Sequence, residues 1–228
     1  MLLLAPCAAG SAAAQADAKQ TPDSLEQRLK ACAVCHGEQG EGLTKAEFYP
    51  RLAGKPAGYL FNQLVAFRDR TRRNPIMNYL VAHLSDEYLR EIAENYERLK
   101  PPYPRPSPAS GPLAARGRIL ATKGDPARKL PACTSCHGDP PNGMQPAIPG
   151  LVGLSSHYIA SQMGAWRIGQ RKAFEPDCMR EIASALTPAD ITAISAWLAS
   201  LPVPVNARPR EASSLDLPMK CGSAPGAQ

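Results

Sequence analysis

Cys32-Ala33-Val34-Cys35-His36 and Cys133-Thr134-Ser135-Cys136-His137 decide the reading of this chain. C-x-x-C-H is the attachment signature of a c-type haem. Its two thiols form thioethers to the porphyrin vinyl groups, and the adjacent histidine is held under the iron. A lone C-x-x-C also reads as a redox dithiol or half of a zinc site. A dithiol does not need the following histidine, and a zinc site pairing the two units leaves both histidines unexplained. Two copies, each with the same downstream pattern, predict two covalently attached c-type haems and one-electron transfer.

That downstream pattern is an internal repeat. Pro50-Arg51-Leu52-Ala53-Gly54 leads into Tyr59-Leu60, Gln63-Leu64 and Phe67-Arg68. Pro149-Gly150-Leu151-Val152-Gly153 leads in the same order and spacing into Tyr158-Ile159, Gln162-Met163 and Trp166-Arg167. A period of about 100 residues is a domain duplication rather than a short solenoid repeat. Pro101-Pro102-Tyr103-Pro104-Arg105-Pro106-Ser107-Pro108 separates the copies and favours a semi-rigid polyproline spacer. The expected organisation is a leader over 1–16, an N-terminal domain over 17–100, a linker over 101–112, a C-terminal domain over 113–205 and a tail over 206–228. Domains of this size bury only a modest core. Aromatic residues make up 6% of the chain, which fits a cofactor filling interior volume.

The fold class expected is all-α. Leu25 to Val34 reads as a helix running into the first motif. Pro56 opens a second, with Leu60, Leu64 and Phe67 at helical spacing. Ser85 caps a third, with Asp86 and Glu87 complementing the dipole of its first turn; Leu89, Ile92, Ala93, Tyr96 and Leu99 line one face. Thr187-Pro188-Ala189-Asp190 starts the last helix as a capping box, ahead of Ile191, Ile194, Leu198 and Leu201. No segment reads convincingly as a strand.

Each iron needs a ligand opposite its histidine unless the site is open for chemistry. Met77 and Met179 precede Leu84-Ser85 and Leu186-Thr187 by the same interval, in stretches read as irregular loops. Methionine is more often a flexible core filler, but the matched positions favour ligands. The expected iron ligands are therefore His36 with Met77 and His137 with Met179. His83 and His157 lack counterparts in the other half, Met144 follows His137 too closely, and Met163 falls at a core position of its helix. A ligating histidine usually donates its second ring N–H to a carbonyl, and Pro50 and Pro149 are placed to accept it. Tyr59, Arg68, Tyr158, Trp166 and Arg167 are candidate partners for haem propionates.

Met1 to Ala16 is apolar, uncharged and ends in Ala14-Gln15-Ala16, an A-x-A-like cleavage site, although it lacks a basic start. A secreted, periplasmic protein is expected, and no later stretch is long and apolar enough to span a bilayer. The net charge of +6 is not in itself a nucleic-acid signature, and no nucleic acid or small-molecule substrate is expected. Haem propionates offset part of it; the remainder suits docking to acidic redox proteins or peripheral association with anionic membrane. Of the seven cysteines, Cys7 lies in the leader and four lie in the motifs. Cys178 and Cys221 remain, and in an oxidising compartment they most simply pair. A direct Cys178–iron bond is the rival reading.

The quoted residues, with Asn74-Pro75 and Leu84-Ser85-Asp86, resemble the dihaem cytochromes of the cytochrome c4 type from about Leu25 to Leu201. The resemblance implies two tandem class I cytochrome c domains related by an approximate two-fold axis. It also implies a periplasmic electron carrier, not an enzyme, whose partners are redox proteins such as a terminal oxidase or a dehydrogenase. The Cys178-Met179 pair, the tail bearing Cys221 and the long segment from Ala121 to Pro131 depart from that pattern. They leave room for an electron-accepting subunit of one particular dehydrogenase. The competing class is a dihaem redox enzyme, peroxidase or thiosulfate-oxidising, which needs an open or labile haem.

Overall fold

The computed structural model describes residues 24–42, 48–205 and 207–224. The expected leader over 1–16, with Cys7, lies outside the described residues. The N-terminal half holds α1 (Leu25–His36), α2 (Ala57–Arg68), α3 (Pro75–Leu80) and α4 (Asp86–Arg98). The C-terminal half holds α5 (Gly111–Lys123), a 3-10 turn (Pro126–Arg128), α6 (Thr134–His137), α7 (Ser156–Arg167), α8 (Cys178–Ala185) and α9 (Pro188–Ala199).

Local chemistry sets most of the boundaries. Ser24 accepts from the Gln27 N–H to start α1, and Ser85 accepts from Tyr88 N–H to start α4. Thr187 and Asp190 satisfy each other's backbone N–H groups in a reciprocal capping box at α9. Asn74 accepts from Met77 N–H and Pro75 supplies the first turn of α3. Leu89, Ile92, Ala93 and Tyr96 turn one face of α4 inward against Leu60, Phe67, Val81 and Leu84. In the other half, Leu120, Ile159, Trp166, Ile191, Ile194 and Leu198 lie in a separate core cluster.

Three expectations change. Met77 and Met179 sit inside the helices α3 and α8, not in irregular loops. A short antiparallel hairpin, β1 (Gly143–Met144) with β2 (Ile148–Pro149), occurs where no strand was read. Strands this short fall below any alternation pattern, and the tail helps hold this one: Arg210 N–H donates to Gly143 O at 2.8 Å. Helix α5 begins at Gly111, inside the stretch read as linker.

The polyproline segment is pinned between the halves. Arg51 donates to the carbonyls of Pro101 and Pro102, and its guanidinium lies 3.8 Å from the centroid of the Tyr103 ring. The opposite wall at Tyr103 is Gly153, where a Cβ would collide with the ring. The halves also meet through main chain, with Arg73 N–H donating to Gln170 O at 2.8 Å and Lys172 N–H to Thr71 O at 3.0 Å. No single described helix is long and apolar enough to cross a bilayer. Helices α8 and α9 meet that test only as a pair, bent by 113°.

Candidate functional site

A cavity of about 440 Å³ runs between the two halves, and both motif histidines line it. His36 Nδ1 lies 2.9 Å from Pro50 O, and His137 Nδ1 lies 2.7 Å from Pro149 O. A carbonyl can only accept, so each Nδ1 carries the proton and each Nε2 keeps its lone pair for a metal. Burial lowers the pKa of both imidazoles; the proline carbonyls oppose that shift, and the charges of Arg72 at His36 and Lys55 at His137 reinforce it. Both rings are therefore held in the neutral form that ligates iron.

The four motif thiols line the same cavity and are unpaired. Burial raises Cys32, Cys133 and Cys136, with Cys133 pushed up to about 11. A redox dithiol needs the opposite, a stabilised thiolate. Among the described residues, no three His, Cys, Asp or Glu side chains gather as a metal site, so the motifs do not merge into a four-thiolate cluster.

Met77 and Met179 also line the cavity. Met77 packs against the N-terminal core alongside Cys32, and Met179 against the C-terminal core alongside Cys133. The other candidates lie elsewhere or do other work. Met144 is buried in β1, and Met163, which also lines the cavity, belongs to the C-terminal core. His157 lies at 6.4 Å from Phe48, ring centroid to centroid.

Where the halves meet, two arginines exchange partners reciprocally. Arg72 donates to Tyr158 Oη at 3.0 Å and to Gln162, and keeps a bond to Gln63 of its own half. Arg171 donates to Tyr59 Oη at 3.2 Å and to Gln63, and keeps a bond to its own Gln162. Burial would raise the Tyr59 phenol, but the Arg171 and Arg72 charges outweigh it and lower it. Of the expected propionate partners, Tyr59, Tyr158 and Trp166 line the cavity. Arg68 instead pairs with Asp69 and Asp86, and Arg167 is exposed. The sequence marks Arg72 only as part of the basic run Arg68, Arg70, Arg72 and Arg73, suited to a solvated helix end or to a propionate or docking role, and it passes over Arg171, although the two recur at the spacing of Pro50 and Pro149. It also misses Lys55 and Met219, which reach the cavity wall without any repeated counterpart.

The tail forms a belt around one cleft only. Arg210 bonds to the loop that follows His137, through Gly143 O, Gln145 N and Asp139 O. Farther on, Gly222 N–H donates to Pro176 O at 2.9 Å, and Cys221 is disulfide-bonded to Cys178, beside Met179. The disulfide excludes Cys178 as an iron ligand in this form.

These clefts fit haem. Each offers a C-x-x-C thiol pair and a neutral, carbonyl-held histidine on an apolar wall. Trp166 Nε1 is buried on that wall with no hydrogen-bond partner. Arg51, Lys55, Arg72 and Arg171 are all buried, and among the described residues none forms a salt bridge with a carboxylate. Buried cations need anions, and haem propionates are carboxylates that would enter with the cofactor. An all-α chain with two such clefts is a dihaem c-type cytochrome of class I build.

No protein-family model matches the chain. A thiosulfate dehydrogenase electron acceptor of Thiomonas intermedia is 40% identical over 173 residues, covering 75% of this chain and 79% of its own length. A cytochrome c4 of Pseudomonas aeruginosa is 33% identical over 178 residues, covering 77% and 86%. The crystal structure of reduced recombinant cytochrome c4 from Pseudomonas stutzeri superposes with a TM-score of 0.69 at 30% identity, over 78% of this chain and 96% of that one. The chain belongs to the cytochrome c4 family. It carries two covalently bound haems and transfers electrons to or from redox proteins as a carrier rather than an enzyme.

Proposed function

We propose that His36 and Met77 ligate one iron, and His137 and Met179 the other, with thioethers at Cys32, Cys35, Cys133 and Cys136. The observation that carries this reading is the pair of bonds from His36 to Pro50 and from His137 to Pro149. Each fixes an imidazole with Nε2 available in the cavity that Met77 and Met179 also line. When bound, each haem supplies one reversible electron at its iron. Pro50 and Pro149 orient the rings, and the thioethers of Met77 and Met179 favour ferrous iron and deny the sixth position to peroxide or substrate. Arg72 and Arg171, held by Tyr and Gln side chains, keep positive charge beside the clefts with little reorganisation.

The chain works in the periplasm, delivered by the leader over 1–16, and takes electrons from a thiosulfate-oxidising dehydrogenase. The electron-acceptor relative supports that donor, and the net charge of +6 suits an acidic docking face. The test of ligation is the methionine-to-ferric charge-transfer band of the oxidised, haem-loaded protein. Intensity for two haems is expected. Intensity for one would mean an open or differently ligated haem and would favour the peroxidase-type reading. The test of the donor is stopped-flow mixing with reduced thiosulfate dehydrogenase. Fast haem reduction that slows with salt is expected, and no reduction would point to a different respiratory donor.

A further inference from the structure

Lys55 belongs to the N-terminal half, yet its ammonium donates to the carbonyl of Gly150 in the C-terminal half. Gly150 follows Pro149, whose carbonyl holds His137. Lys55 is 6% exposed and lines the haem cavity. An ammonium has three donors, and among the described residues one carbonyl is its hydrogen-bond partner. Among the described residues no carboxylate pairs with it. Burial, reinforced by Arg51, pushes the amine down to about 7. Without an anion the amine gives up its proton near neutral pH, and an anion inside the cavity would hold it as the ammonium.

The repeat makes Lys55 informative. Its counterpart in the C-terminal half is Leu154, a buried apolar residue. The counterpart of Arg51 is Gly150 itself, where a Cβ would strike Asn142 O. A side chain is thus excluded at one position and supplied at the other. Lys55 is placed on the His137 side by its bond to Gly150, the residue after the one whose carbonyl holds that ring.

We propose that Lys55 is a cross-half anchor for a carboxylate of the haem seated on His137, and that its charge raises that haem's reduction potential. The inference rests on the His/Met ligation proposed above. Pairing offsets a carboxylate whose negative charge would otherwise favour ferric iron, so the anchor makes the C-terminal centre a better electron acceptor than it would be without Lys55.

The experiment is a redox titration of the dihaem protein and of Lys55→Gln and Lys55→Arg. Haem methyl NMR signals assign each step to a haem, and redox-difference infrared follows the propionate carboxylates. Lys55→Gln keeps a donor for Gly150 and loses the charge. It should lower the reduction equilibrium constant of the His137 haem about tenfold, equal to 59 mV for one electron, and shift one carboxylate band. The His36 haem should move by much less. Lys55→Arg should restore the potential. Equal shifts at both haems, no shift at either, or a larger shift at the His36 haem would each overturn the proposal. If Lys55→Gln fails to load haem, Lys55→Arg decides: an unchanged carboxylate band and potential support the charge, and loss of both refutes it. The wild-type charge-transfer band reports separately on ligation, so losing the anchor and losing the His/Met reading give different results.

Discussion

The two halves share one motif, one proximal-histidine bond and one arginine exchange, but they are built to different firmness. In the N-terminal half α1 runs without a break into the haem motif and ends at His36. In the C-terminal half α5 stops at Lys123, a 3-10 turn intervenes, and α6 carries only the end of the motif. That insertion is tied down by Arg128, which bonds both Asp125 and Asp190. Asp190 is fully buried, and Arg116 reaches it as well. The tail then adds a disulfide and a backbone belt with no counterpart among the described residues of the N-terminal half. The comparison teaches that a duplicated fold can hold the same motif and the same matched histidine and methionine with different rigidity. The N-terminal methionine rests on a short, capped helix alone; the C-terminal one is stapled at its neighbour.

The most direct way to erase this difference is to cut the staple. Cys221→Ser opens a loop of sequence separation 43, which should destabilise the C-terminal half by ~4 kcal/mol on loop entropy. Denaturant unfolding followed by the charge-transfer band reads it. Imidazole should then displace Met179 about as readily as Met77; displacement that stays harder at Met179 would show that the belt does not hold the ligand.

A second change attacks the insertion. Burial alone would raise the Asp190 carboxyl, but hydrogen bonds from Arg128, the Thr187 N–H and Arg116 outweigh it and hold the group well below the usual carboxylate range. Its folded pKa is depressed, so its stabilisation is fully present above about pH 4, erodes as the pH falls below that, and is lost through the folded value. Asp190→Asn should cost about 3 kcal/mol at pH 7 and flatten the acid limb of the C-terminal transition. An unchanged acid limb would remove Asp190 from the account.

The α5–α9 contact offers a third. A Cβ on Gly117 would run into the Ala193 carbonyl, which is backbone and cannot step aside alone. Gly117→Ala should therefore cost about 2 kcal/mol in thermal unfolding, without altering the N-terminal haem spectrum.

The smallest effect compares two caps. Ser85 makes a one-way cap, whereas Thr187 makes a reciprocal one. Ser85→Ala and Thr187→Ala should each cost ~1 kcal/mol, with Thr187→Ala the larger. Equal costs would show that the second bond of the box adds nothing.

Much of this molecule was legible before any coordinates. The motifs named the cofactor because thioether chemistry demands two thiols and a histidine at one spacing. Ser85 and Thr187 announced helix starts because capping is a local bond between near neighbours, and the spare Cys178 and Cys221 announced their pairing by elimination. Local reading failed where partners are distant. Met77 and Met179 looked like loop residues because the short helices carrying them have too few apolar positions to show a period. Arg68 looked like a propionate partner by its place in the repeat, but Asp69 and Asp86 claim it. Arg72 and Arg171 showed their role only when folding crossed them into opposite halves.

The sequence by itself determined the all-α class, the two haem attachments and the duplication, since each is written in residues close along the chain. Only the tertiary structure decided that the polyproline segment is clamped by Arg51 and Gly153, that the tail belts one cleft, and that Lys55 reaches across to Gly150. Those features depend on groups far apart in the chain meeting in space. Such meetings are set by burial and by the need to satisfy buried charge and backbone polarity, which no local pattern records.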